Sequence, residues 1–329
     1  MKKTNVALLS GGTSGEREIS SKGGDQVYEA LDKSRYTVTC YDPGTDLARL
    51  AADSGKIDVA LVILHGVPGE DGTMQGMLDL LGIPYQSTGV LGSAIAMNKL
   101  VSKFFYEKAG IPVPKYASCS RGQYVDTSGV IDRLGLPLVI KPASGGSSLG
   151  LSIVRSAREF EDGLATAFAC DDTAIFEEYL EGTEITGGVL GNDELEALPV
   201  IEIVPKGEHE FFDYDAKYRA GETDEICPAR IDEDLAETAQ ELAKTAHRAL
   251  FCSGCSRTDM LISDGRIRVL ETNTIPGMTP VSLLPLAAKT AGMTYAQLID
   301  RLIELALEKG SFPGKSTSKK NPSFVRESR

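Results

Sequence analysis

Residues 141–150 read KPASGGSSLG, three glycines and three serines set between the apolar stretches LPLVIKP (136–142) and LSIV (151–154). The spacing Gly146-x-Ser148-x-Gly150 matches a nucleophile elbow, which needs a strand-to-helix turn and a histidine later in the chain. Here Leu149, Leu151 and Ile153 alternate as a strand does, and only His209, in a polar stretch, and His247, in a helical one, follow. A P-loop fails too: there is no G-x-x-x-x-G-K-[ST] and no helix behind the loop to lend its N–H groups. What fits is a glycine-rich loop between two strands. It is either a plain flexible hairpin or a cover for phosphate oxygens, with Lys141 at its mouth to supply charge.

Outward from this loop, the first hundred residues alternate two kinds of signal. VALLS (6–10), YTVTCYD (36–42), VALVILH (59–65) and IPYQS (83–87) read as strands, with helices near 17–31 and 73–82. That order predicts an α/β layer with a parallel sheet, whose functional residues lie in loops at the carboxyl ends of strands. Two such loops stand out, SGGTSGERE (10–18) and HGVPGEDGT (65–73). Beyond residue 99 the pattern becomes α+β. A helix over 99–109, the strands around the loop, a helix over 157–169, a strand over 173–180 and strands near 184–190 and 197–204 follow in turn. The polar and aromatic stretch 206–225 has the length of a functional lid or of a disordered segment. A helix over about 232–250, strands at 257–262 and 266–273, and helices near 282–290 and 294–309 close the pattern.

This organisation predicts an N-terminal α/β domain (1–98), a central part with the glycine-rich loop (99–184), and a C-terminal part with the long polar stretch and the last strand pair (185–309). Residues 310–329, with five Lys or Arg against one Glu, read as a disordered tail. A chain of 329 residues with 42% hydrophobic and 25% charged residues has room for clefts between globular parts. Its net charge of −13 excludes a general nucleic-acid binder, because nothing would neutralise a row of phosphates. The longest apolar run, Val59 to Leu64, is far too short to span a membrane, and the apolar part of MKKTNVALLSGG is too short for a secretory signal. A cytoplasmic location is expected, and six scattered cysteines agree with it. The pair Cys252–Cys255 closes a helix and precedes a strand, the reverse of a thioredoxin-like site, and lacks two further zinc ligands nearby.

Two distant strands sharpen the picture. Arg257 and Asp259 share one face of the first, Glu271 and Asn273 one face of the second. If the hairpin loop is odd in length, such as Asp264 to Arg266, Asp259 lies opposite Glu271 and Arg257 opposite Asn273. Two carboxylates and an amide oxygen suit magnesium bound beside substrate phosphates, although a surface salt-bridge network has the same composition. Pro276 and Gly277 directly afterwards favour a shaped active-site turn.

HGVPGEDGTMQG (65–76), KPASGGSSLG, FFDYDAKY (211–218), SRTDM (256–260) and ETNTIPGMT (271–279) together resemble the ATP-grasp ligases, and among them the D-alanine–D-alanine ligases. The resemblance covers nearly the whole chain apart from the tail. It implies an ATP-grasp fold behind an N-terminal parallel-sheet domain, with ATP, two magnesium ions (or manganese) and two D-alanine molecules as cofactors and substrates, and a homodimer. By the same resemblance Lys99, Lys141, Ser148, Lys217 and the loop hold ATP phosphates, Glu177, Glu178, Tyr179 and Leu180 line the adenine site, and Glu184 takes the ribose. Asp259, Glu271 and Asn273 become the metal ligands. Glu16 pairs with the ammonium of the first D-alanine and His65 sits by its carboxylate. Ser147 and Tyr218 join loop and lid, Arg257 and the Gly277 backbone stabilise an oxyanion, and Ser282 and Leu283 receive the second D-alanine. Where relatives that use D-lactate carry a lid histidine, this chain has Asp215-Ala-Lys-Tyr218, which favours an amino acid as second substrate.

Overall fold

The aliphatic runs near the N-terminus form strands β1 (Thr4–Leu9), β2 (Tyr36–Tyr41) and β3 (Val59–Val62), a parallel sheet in the order β2-β1-β3. Val6 to Leu9 are buried on both faces, as a central parallel strand requires. The computed structural model describes residues 2–146, 148–206 and 223–310. Helices α1 (Arg17–Ala30), α2 (Leu47–Asp53) and α3 (Thr73–Leu81) complete this layer. The fourth strand expected at 83–87 is reduced to a single parallel bridge between Tyr85 and Ala60. Pro84 accepts the Ala60 N–H at 2.8 Å but has no N–H of its own to extend the ladder.

After α4 (Val90–Met97) and α5 (Lys99–Lys108), a second sheet runs antiparallel in the order β4-β7-β5-β6. Its strands are β4 (Tyr116–Ser120), β5 (Leu138–Pro142), β6 (Ser152–Val154) and β7 (Thr173–Glu178). Helices α6 (Thr127–Leu134) and α7 (Phe160–Phe168) pack on one face around Leu138, Ile140, Val154 and Phe176. KPASGGSSLG therefore joins two antiparallel strands, with Val139 opposite Ile153, as the alternation indicated.

The third sheet has the path β11-β10-β8-β12-β13, with β9 beside β8. It comprises β8 (Thr183–Gly191), β9 (Leu195–Ala197), β10 (Ile201–Pro205), β11 (Thr223–Ile226), β12 (Gly254–Ser263) and β13 (Arg266–Asn273). The anticipated division after residue 184 falls inside β8, and the anticipated lid ends earlier than 225, because Thr223–Ile226 pairs with β10. Helix α8 (Glu233–Ala249) covers one face through Ala239, Ala243 and Ala246; α9 (Leu283–Thr290) and α10 (Tyr295–Lys309) belong to the core on the other.

The β12–β13 hairpin differs from the expected one in an instructive way. Its loop has two residues, Asp264 and Gly265, both at positive φ (50° and 68°), the geometry of a type I′ turn. A three-residue loop would turn Arg268 into the core and Ile267 and Val269 out of it. The observed turn keeps Ile267 and Val269 inside, and a bulge at Leu270 then shifts the phase by one residue. Beyond the bulge Asp259 faces Glu271 and Arg257 faces Asn273, so the expected pairing holds for a different reason.

Candidate functional site

Between the second and third sheets lies a cavity of about 480 Å³, ample for a nucleotide. Val139, Leu151 and Ile153 form one apolar wall, and Ile203, Val204, Leu261 and Leu270 contribute to the other. Lys99, Lys141, Ser148, Glu177, Glu178, Tyr179, Leu180, Glu184, Asp259 and Glu271 all line it. The expected nucleotide residues among the described ones thus meet at one place, whereas the apolar walls were not anticipated. Their signal was available in the alternation of Leu149, Leu151 and Ile153, of which only the end forms regular strand; Leu149 and Leu151 serve the cavity instead.

Local structure fixes the two lysines. Asn98 caps α5 by accepting the Val101 N–H at 3.0 Å, and the Lys99 N–H donates to Ala143 O at 2.7 Å. The Lys99 ammonium then reaches Gly145 O at 2.5 Å and Glu271 Oε2 at 3.2 Å. Lys141 lies on β5 with its Nζ 2.9 Å from Glu177 Oε2. Burial would raise the Glu177 carboxyl, but the ammonium groups of Lys141 and Lys103 outweigh it and hold it at about 2. The loop turns on Gly145 (φ 109°), Ser148 (φ 58°) and Gly150 (φ 77°). A Cβ at Gly150 would come within 2.9 Å of Cys170 Sγ, so glycine is required there on two counts.

On the floor, Arg257 holds Asp259 through two hydrogen bonds, Nε to Oδ1 at 2.9 Å and Nη2 to Oδ2 at 2.8 Å. The Thr186 hydroxyl also donates to Asp259 Oδ1, at 2.6 Å. Asn273 accepts the Ile275 N–H at 3.0 Å, which fixes its amide at the start of the following turn. Asp259, Glu271 and Asn273 share one face of paired strands and offer hard oxygen donors beside the lysines, a set that fits magnesium. Among the described residues no cluster of three or more His, Cys, Asp or Glu side chains could hold a metal ion by itself.

A second group gathers at the carboxyl ends of β1 and β3. The Glu16 carboxylate approaches Gly66, beside His65, and both Glu16 and Arg257 act on the His65 ring. Burial lowers the His65 pKa, opposed by Glu16 and reinforced by Arg257. Glu70, not anticipated as a site residue, accepts the Gly66 N–H at 2.6 Å. Burial, with Glu16 and Glu271 nearby, pushes its carboxyl up to about 8. Ser282 precedes α9 and its hydroxyl lies 2.8 Å from that of Thr279; a Cβ on Gly277 would meet it at 2.9 Å. The Leu283 side chain is in the core, leaving only its backbone at the helix N-terminus to meet an anion. Ser147, Lys217, Tyr218 and residues 311–329 lie outside the described residues. Burial pushes the thiols of both Cys252 and Cys255 up to about 12, which removes the thiolate that metal or redox work needs.

Residues 105–304 match the family of the D-ala D-ala ligase C-terminus, and residues 44–88 that of the D-ala D-ala ligase N-terminus. The chain belongs to the D-alanine–D-alanine ligases. It is 58% identical over 306 residues to the D-alanine–D-alanine ligase of Syntrophobacter fumaroxidans, covering 93% of this chain and 98% of that one. The D-alanine–D-alanine ligase of Bacillus anthracis complexed with ATP superposes with a TM-score of 0.81 at 35% identity, over 93% of this chain and 98% of the other. The VanG D-Ala:D-Ser ligase of Enterococcus faecalis does so with 0.80 at 32%, over 93% and 100%. As a member of this ligase family the chain is an ATP-dependent, ADP-forming enzyme of the ATP-grasp fold. Among the described residues no helix is long and apolar enough to cross a membrane.

Proposed function

We propose that the cavity binds ATP and that the chain joins two D-alanine molecules beside it, forming D-alanyl-D-alanine for peptidoglycan synthesis with release of ADP and phosphate. The observation that carries this reading is the convergence of apolar walls, two lysines, the glycine loop and the Asp259–Glu271 pair on one cavity.

The base lies between the two apolar walls, with Glu177 to Leu180 along its edge and Glu184 at the ribose. Lys99, Lys141, Ser148 and the loop backbone meet the phosphates, joined from the lid by Lys217. Asp259, Glu271 and Asn273 hold two magnesium ions, or manganese, which when bound offset the charge on the transferring phosphoryl group. Glu16 holds the ammonium of the first D-alanine, and His65 lies by its carboxylate. That carboxylate takes the γ-phosphoryl group, with departure of ADP, and becomes an acyl phosphate. The amine of the second D-alanine, placed by Ser282 and the backbone at Leu283, attacks the carbonyl carbon. Arg257 and the Gly277 N–H meet the oxyanion, and phosphate leaves as the peptide bond forms. Ser147 and Tyr218 join loop and lid to exclude water from the acyl phosphate.

On the same reading the chain has three domains, the first residues 1–98 and the second giving way to the third at the start of β8 rather than after residue 184, and the enzyme works in the cytoplasm. It pairs as a homodimer, supported by the exposed Val90, Leu91, Val101, Phe104 and Phe251 around α4 and α5. The likeness to a D-Ala:D-Ser ligase makes D-serine the competing second substrate. A phosphate-release assay over a panel of D- and L-amino acids tests both readings. Release is expected with D-alanine alone, and ADP formation independent of amino acid would refute ligation. Glu271→Ala should abolish turnover, and undiminished activity would remove Glu271 from the metal site.

A further inference from the structure

Lys103 has no part in the roles above, yet it is fully buried, at 0% exposure. It belongs to a stripe on α5, Lys99, Lys103 and Tyr106, whose spacing puts all three on one side of the helix. The stripe fastens three parts of the site. Lys99 reaches the loop and Glu271, Lys103 lies 2.9 Å from Glu177 Oε1, and the Tyr106 hydroxyl donates to Thr272 Oγ1 at 2.8 Å beneath the strand of metal ligands. The Lys103 contact is an ion pair outside good hydrogen-bond alignment, with the ammonium also 5.3 Å from the Tyr116 ring centroid.

Taking an ammonium out of water is costly, and an apolar side chain of similar length is often the more stable occupant of such a position. Packing alone therefore gives little reason for a lysine here. The charge pattern gives one. Two ammonium groups, Lys103 and Lys141, share one carboxylate, Glu177, each at 2.9 Å and each on a different oxygen. One positive charge is left over in a poorly hydrated place, and of the two ammonium groups Lys141 is the one that opens on the cavity.

We propose that Lys103 is a positioning residue for nucleotide binding: by occupying Glu177 Oε1 it prevents the carboxylate from neutralising Lys141, whose charge stays turned to the cavity. The inference rests on the reading of that cavity as the ATP site. Without Lys103 the Glu177 carboxylate is left to Lys141 alone and offsets the charge that Lys141 offers the phosphates.

The test is calorimetric titration of the full-length protein with a non-hydrolysable ATP analogue and magnesium, without amino acid, alongside thermal melting. Lys103→Met should weaken binding by about tenfold to a hundredfold while leaving the melting temperature equal or higher. In a Glu177→Gln background the same change should alter binding by less than about twofold, the mark of coupled neighbours. A lower melting temperature with unchanged affinity would reduce Lys103 to packing, and an equal loss in the Glu177→Gln background would show that it does not act through Glu177. Either result overturns the proposal. Should Lys103→Met not fold, Lys103→Gln, which keeps a polar side chain without the charge, takes its place with the same expected loss of affinity, and unchanged affinity there overturns the proposal. Lys141→Met separates the two levels: unchanged affinity there refutes the nucleotide site itself, whereas a loss there without one in K103M refutes only the role of Lys103.

Discussion

Glu70 is a carboxyl group held where a carboxylate is costly. With its titration pushed up to about 8, it is protonated at pH 7 and can donate a hydrogen bond as well as accept the Gly66 N–H. Above that pH a negative charge develops beside Glu16, where on the proposed reading a substrate carboxylate is also held. Catalytic efficiency is therefore expected to fall as pH rises through about 8. Glu70→Gln, which keeps the neutral shape, should be nearly as active at pH 7 and lack that decline; the same decline in the variant would assign it to another group. Residues of this kind were only partly legible in the sequence. Lys141, His65 and Arg257 announce themselves through neighbours in short motifs. Glu70 lies inside one, HGVPGEDGT, but nothing in the string marks it as protonated, because that depends on Glu16 and Glu271 arriving from elsewhere in the chain. Lys103 reads as one more polar position on an amphipathic helix until the second sheet closes over it.

At the scale of elements, the β12–β13 hairpin shows how the alternation rule succeeds and where it stops. Arg257 with Asp259, and Glu271 with Asn273, could be assigned to common faces because side chains alternate along a strand. The phase between Val269 and Glu271 could not, because a bulge is an extra residue that alternation does not predict. The consecutive pair Val269-Leu270 is its trace: one side chain is buried in the core and its neighbour lines the cavity. Two truncations should separate these duties. Leu270→Ala is expected to raise KM for ATP by about tenfold, the value of a lost apolar wall, with little change in melting temperature. Val269→Ala should cost about 1.5–3 kcal/mol of stability in denaturant titrations and leave KM for ATP alone. Equal effects on both quantities for both variants would dissolve the distinction.

Across the whole molecule the chain is less divisible than its order of signals suggests. One core contains Val6, Leu8, Val59 and Leu61 of the first sheet, Leu190, Ile201 and Ile203 of the third, and Leu298, Leu302 and Ile303 of α10. The C-terminal helix thus returns to cover the N-terminal sheet, and the Arg35 and Tyr36 contacts with Asp300 reinforce it at the rim. Leu302→Ala is expected to destabilise by about 2–5 kcal/mol and to lower probes in the first and third sheets together; separate transitions would mean the core is not shared. The parallel and antiparallel parts were legible from strand and helix order, since each element carries its own periodicity. The return of α10 was not, because an apolar stripe says that a face is covered and is silent about which sheet covers it.

The pairing of Arg257 with Asp259 and of Lys99 with Glu271 has a consequence for the resting enzyme. Each carboxylate proposed as a metal ligand already has a partner cation from its own chain, so the free protein does not hold bare negative charges against one another. On that proposal a divalent ion would have to compete with these cations for the site, and the arginine it would compete with at Asp259 is the group proposed to meet the oxyanion.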